Sequence, residues 1–196
     1  MLFRSELRSP ADLGALAEAA TASYAEDVRA APGAGELLER LWARGVPLAL
    51  VSNGPVDMQR AALRALGFEK YFRAVLVSGD RDVAARKPAP RIFSLACVGL
   101  ETVPEETLMV GDDLEADVRG AVDYGLQAVW LTRDPTAAGS LPMTRDASEA
   151  GSVPVTRGAS EAGSVPVTRD PSEAGSVPMT RDLEELGALL DERLGV

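Results

Sequence analysis

Two rhythms of apolar and polar positions alternate along residues 33–132 of this chain. Short, nearly unbroken apolar runs occur in "VPLALVSNG", "YFRAVLVSGD", "ETLMVGDD" and "LQAVWLT". They predict buried strands near 46–52, 74–78, 107–111 and 126–132. Between them "DMQRAALRALG", "KPAPRIFSLACVGL" and "LEADVRGAVDYG" space their apolar residues as helices do, and "GAGELLERLWARG" does the same ahead of the first strand. Ser9, Pro10 and Asp12 set a cap, a proline and an acid at the start of another helix, predicted to reach about Arg29. Apolar strands separated by single helices predict a parallel sheet covered on both faces, a three-layer α/β fold of Rossmann-like type.

In such a sheet, ligands bind where strands end at their carboxyl edge. The first strand ends in Ser52-Asn53-Gly54. The second leads into a loop reaching Lys87-Pro88, and the third ends in Gly111-Asp112-Asp113, with Asp117 one turn further on. Singly, each has an ordinary explanation: a turn hydroxyl, a solvated ammonium, a helix N-cap. Together they describe a crevice that suits a phosphate and a hard cation. The hydroxyl and following amides can hold phosphoryl oxygens, Lys87 offsets their charge, and the aspartates offer oxygen ligands to Mg²⁺.

Composition narrows the partners. A formal charge of −10 argues against a nucleic-acid partner and against a membrane surface. No apolar stretch reaches the roughly 18 residues needed to span a bilayer. Absence of histidine removes the commonest general base and zinc ligand. The single cysteine, Cys97, is expected to be a core thiol, which with the lack of an N-terminal apolar leader points to the cytoplasm.

"LALVSNG", "RKPAPRIF" and "VGDDLEADVRGAVDYGLQAVWL", in that order, resemble the second, third and fourth motifs of the haloacid dehalogenase-like (HAD) hydrolases, which are mostly phosphatases. The likeness runs from about residue 10 to 132. It implies Mg²⁺-dependent phosphomonoester hydrolysis of a small phosphorylated metabolite. Ser52, Asn53 and Gly54 would bind the phosphoryl group, with Lys87 stabilising charge. Asp112 and Asp113 would serve the metal, and Asp117 would support Lys87 or metal-bound water. Bacterial response regulators also combine acids, a hydroxyl and a lysine, but with the acids first; that order is absent here.

The resemblance also implies a first motif, Asp-x-Asp on a central strand, whose first aspartate is the nucleophile. No Asp-x-Asp precedes Ser52; the chain's Asp80-Arg81-Asp82 lies in the loop before Lys87. Three accounts stand open: a shortened form of a longer enzyme, a non-catalytic relative, or a partner that supplies the strand. Without that strand, the strands ending at Ser52 and Asp112 are expected to close up and pair directly, because open ladders leave backbone groups unsatisfied.

Residues 1–32 are read as the remnant of a helical cap and 33–134 as the α/β core. From Gly139 a twelve-residue unit repeats, "GSLPMTRDASEA" to "GSVPMTRDLEEL", too poor in apolar residues to build a core. Residues 135–175 are therefore expected to be a linker, and 176–196 a strand and helix returning to the core. Substrate identity and oligomeric state are not legible.

Overall fold

The computed structural model describes residues 10–132 and 178–194. Helix α1 (Pro10–Asp27) leads to α2 (Ala34–Ala43), then β1 (Ala49–Ser52), α3 (Val56–Ala65), β2 (Ala74–Val77) and α4 (Pro90–Leu100). Strand β3 (Leu108–Gly111), a wide π-helical turn (Leu114–Arg119) and α5 (Gly120–Tyr124) precede β4 (Gln127–Leu131); β5 (Met179–Thr180) and α6 (Leu183–Leu194) complete the order. The strands are one to three residues shorter than the apolar runs that predict them. The return strand and helix near the C-terminus are present, while the expected linker lies outside the described residues, as does Ser9.

Among the described residues all pairing is parallel, but it falls into two separate ladders. Strand β1 pairs with β2, from Ala49↔Ala74 to Ser52↔Val77. Strand β3 pairs with β4, from Leu108↔Gln127 to Gly111↔Trp130, and β4 with β5 at Trp130↔Met179 and Leu131↔Thr180. Strands β1 and β3 are not neighbours. The expected closure of one onto the other is therefore wrong. In its place is a cavity of about 950 Å³, bounded by Leu48–Val51 on one side and Leu108–Val110 on the other.

Packing explains why the gap stays open. The two ladders share both helical layers. On one face Leu48 and Val110 pack into one cluster with Leu37 and Leu41 of α2 and Leu186 of α6. On the other, Val51 and Met109 pack with Ile92 and Phe93 of α4 and Ala121 of α5. Ile92 and Phe93 are fully buried, each stabilising the fold by roughly 1.5–3 kcal/mol. Buried residues of α4 fall at 92, 93, 96, 97 and 100, the stripe its apolar spacing predicts. Sliding β1 onto β3 would drag each ladder off helices that hold both.

Cys97 is buried as expected. Burial raises its thiol pKa above the ordinary value, opposed in part by its contact with the Thr107 hydroxyl.

Candidate active site

The carboxyl edge of both ladders is organised by Lys87. Its main chain is gripped by Asn53, whose side-chain carbonyl accepts from Lys87 N at 2.8 Å and whose amide donates to Lys87 O at 2.9 Å. This two-point grip holds the loop after β2 against the end of β1. The Lys87 ammonium then donates to Val51 O at 2.8 Å and lies 2.6 Å from Asp117 Oδ1. Both side chains are largely buried, 10% and 6% exposed. The pair is close without hydrogen-bond alignment, so Asp117 Oδ1 has no hydrogen-bond partner. Lys87 thus spans the gap, touching a β1 carbonyl and a carboxylate that follows β3.

Asp117 reaches that position because the turn after β3 is unusually wide. Asp113 caps it, its Oδ1 accepting from Glu115 N at 3.0 Å and Ala116 N at 2.9 Å. The carbonyl of Asp113 accepts from both Asp117 N and Val118 N, at 2.9 and 3.2 Å, which opens the turn toward π geometry. Asp117 Oδ2 in turn accepts from Asp113 N at 3.2 Å. Gly111 makes room for this fold-back: a Cβ there would sit 2.2 Å from Asp117 Oδ2.

Ser52 Oγ donates to Gln59 Oε1 at 3.0 Å. The side chain of Asn53 is committed to Lys87, leaving its backbone amide and that of Gly54 as donors with no partner among the described residues. Asp112 is exposed, and its carboxylate has no partner among the described residues; its carbonyl accepts from Trp130 Nε1 at 3.1 Å. Gln59 and Trp130 escaped the sequence reading. Gln59 had one signal, a polar residue near the start of a helix seven positions after Ser52; Trp130, in an apolar strand, had none.

The expected residues therefore fall into distinct positions. Lys87 and Asp117 touch, Asn53 positions Lys87, and Asp113 shapes the turn while keeping its Oδ2 uncommitted. Asp80 stands apart, paired with Arg60 at 3.0 Å. The Asp82 backbone N–H and then Arg60 hold the Asp80 carboxyl below the usual carboxylate range. The Asp82 carboxylate accepts no hydrogen bond among the described residues; its N–H donates to Asp80 Oδ1 at 3.3 Å and its carbonyl accepts from the Arg91 guanidinium at 3.3 Å.

The donor chemistry suits magnesium in part. A free carboxylate on Asp112 and a spare oxygen on Asp113 are what Mg²⁺ uses beside water and phosphate. No three Asp, Glu, Cys or His side chains among the described residues form a closed metal cage. The site fits a cation held jointly with water and ligand oxygens.

The sequence profile of the haloacid dehalogenase-like hydrolases matches residues 5–125, more than half of the chain. The chain is 42% identical over 115 residues to a phosphoserine phosphatase of Thermus thermophilus, covering 56% of this chain and 45% of that protein. It is 39% identical over 120 residues to a ribulose-1,5-bisphosphate 5-phosphatase of Halopiger xanaduensis, covering 61% and 49%. It spans about half the length of these curated relatives. Among solved structures, a HAD phosphatase from Thermococcus onnurineus aligns with a TM-score of 0.63 at 28% identity, over 89% of this chain and 64% of that one. The magnesium-bound YfnB protein of Bacillus subtilis shares the fold, with a TM-score of 0.63 at 23% identity over 92% and 63%.

Proposed function

The chain belongs to the haloacid dehalogenase-like hydrolases, and within that family we propose that it carries the phosphate-and-cation half of a phosphomonoesterase site. The observation that carries this reading is Lys87, held at the mouth of the gap between the Val51 carbonyl and the Asp117 carboxylate. An ammonium fixed there, beside the Ser52 hydroxyl and the free amides of Asn53 and Gly54, is placed to receive phosphoryl oxygens. The substrate class is a small phosphorylated metabolite, in keeping with the printed activities of the relatives.

Each residue then has a role. Ser52, with the amides after it, orients the phosphoryl group. Lys87 balances negative charge that builds on the transferred oxygens, and Asp117 keeps Lys87 extended toward them. Asp112, with help from Asp113, would hold Mg²⁺, which supplies Lewis-acid neutralisation of phosphate charge when bound. Hydrolysis in the longer relative is assigned to an aspartyl-phosphate route, for which the aspartates of the crevice offer no free nucleophile: Asp117 is paired with Lys87, Asp113 caps a turn, and Asp112 is given to the cation, while Asp80, on Arg60, stands apart with Asp82.

That accounting favours a second reading for the 196 residues alone, a phosphate-binding unit without turnover. Among the described residues no helix is long and apolar enough to cross a membrane. The single, buried Cys97 suits a reducing compartment, on which ground we place the chain in the cytoplasm. The charge of −10 disfavours a nucleic-acid partner. Inorganic phosphate titrated with and without Mg²⁺, followed by phosphorus NMR linewidth, tests the half-site. Broadening that is lost in Lys87→Met and Ser52→Ala supports it. Broadening unchanged in both variants removes it.

A further inference from the structure

Gln59 reaches Ser52 across ground that a glycine leaves open. It is the fourth residue of α3, and its backbone N–H donates to Pro55 O at 3.1 Å. Its side chain folds back over the turn that follows β1. A Cβ built on Gly54 would stand 2.9 Å from Gln59 Nε2 and 3.1 Å from its Cγ, so the amide lies against the bare Cα of Gly54. Ser52 Oγ donates to Gln59 Oε1 at 3.0 Å, while Nε2 has no partner among the described residues.

That hydrogen bond runs the wrong way for a phosphate. A serine hydroxyl carries one proton and two lone pairs. With its proton given to Gln59, Ser52 shows lone pairs to anything else that approaches, and a phosphoryl oxygen meets acceptor against acceptor. An anion needs the proton. Releasing it from Gln59 would leave a half-buried carbonyl unmatched. A glutamine escapes this conflict, because a half-turn about its last torsion exchanges Oε1 for Nε2. The spare N–H then donates to Ser52 Oγ, and the hydroxyl proton is free to face the anion.

We propose that Gln59 is a two-position amide switch for the phosphate site. Without an anion it parks the Ser52 proton; with one it donates to Ser52 Oγ and turns that proton toward a phosphoryl oxygen. No covalent bond changes and no proton is transferred; one hydroxyl and one amide rotate together. The inference rests on the phosphate half-site reading. Gln59 acts through Ser52, which makes it a positioning residue. Gly54 has two tasks: its backbone N–H serves the phosphate, and its missing side chain seats the glutamine. Other side chains of similar reach fail. An ionised glutamate has only acceptors and would hold the serine proton; a methionine has neither donor nor strong acceptor.

The test titrates inorganic phosphate into the full 196-residue chain at about pH 8, where the dianion dominates. The Gln59 side-chain amide signals, assigned by their loss in Gln59→Met, are followed by proton–nitrogen NMR beside the phosphorus linewidth. The switch predicts that phosphate moves one Gln59 N–H proton downfield, as Nε2 gains an acceptor. Gln59→Glu, of the same shape, should weaken phosphate by about tenfold or more, the worth of a hydrogen bond to a charged group. Gln59→Met, which fills the space yet releases the Ser52 proton, should stay within about threefold of the parent. Gln59 signals unmoved at saturating phosphate would overturn the proposal. So would an equal loss in both variants, which is what mere packing on Gly54 predicts. Neither result touches the half-site while the parent chain broadens the phosphorus line. A parent chain without that broadening removes the half-site, and this proposal with it.

Discussion

A Cβ on Gly111 would sit 2.2 Å from Asp117 Oδ2, so the smallest residue in the β3 turn decides where a buried carboxylate lies. Gly111→Ala is expected to destabilise the chain by about 1–3 kcal/mol through overpacking. Asp117→Ala alone should also destabilise, because it strips Lys87 of its partner. The double variant should lose less than the two singles combined. Urea unfolding of the four proteins measures this; simple additivity would mean that the two positions do not press on each other.

Lys87→Ala leaves Asp117 buried and unpaired. Breaking a buried ion pair from one side costs about 3–5 kcal/mol, much of it the penalty of the orphaned carboxylate. Lys87→Ala combined with Asp117→Asn should therefore recover part of the loss. Thermal unfolding at one pH checks both, and a single variant as stable as the parent would contradict the burial of this pair.

Burial raises the Cys97 thiol pKa from its ordinary 9.0. The folded state then holds its proton at a pH where the unfolded chain has released it. Stability from this source is full below about pH 9, falls as pH rises from there, and is lost once the raised folded value is passed. Cys97→Ala should flatten the fall in unfolding free energy between pH 8.5 and 10.5, as read from denaturant curves. Native labelling with a thiol reagent at pH 8 should be far slower than labelling in urea.

Asp112 carries the free carboxylate of the β3 turn, and its carbonyl accepts from the Trp130 indole. In a Trp42→Phe background, Mg²⁺ should perturb Trp130 emission weakly. Asp112→Asn should reduce the apparent affinity by about tenfold or more. An unchanged titration in Asp112→Asn would move the cation elsewhere. The parent chain with Mg²⁺ and p-nitrophenyl phosphate should show no turnover above background. Turnover abolished by Lys87→Ala would return attention to Asp80 and Asp82.

The strands were legible because buried parallel strands read as apolar runs, and the runs at 49–52, 74–77, 108–111 and 127–131 are flanked by turn residues. Strand-end logic brought Lys87 and the aspartates to one edge, while the contact of Lys87 with Asp117 is one of the two roles that the family resemblance implies for Asp117. Other features were not legible. Closure of β1 onto β3 is what unpaired amides and apolar side chains facing an open gap predict; the packing of Phe93, Leu41 and Leu186 on both ladders fixes their spacing instead. The grip of the Asn53 side chain on Lys87, at 2.8 and 2.9 Å, is one such feature; it leaves the Asn53 backbone amide for the phosphate reading. Gln59 and Trp130 contribute through single long-range contacts, which leave no periodic trace.

Lys87 ties the end of β1 to the turn after β3, across a space where the sheet is interrupted. A lysine with that task is a rivet as well as a reagent. A lineage that abandoned hydrolysis would still lose its architecture on losing the rivet, so selection would keep the lysine long after chemistry ceased. Its presence in a sequence is therefore poor testimony to activity. Ser52, whose hydroxyl meets a single glutamine, carries far less of the scaffold, and its replacement would be the earlier mark of a retired enzyme.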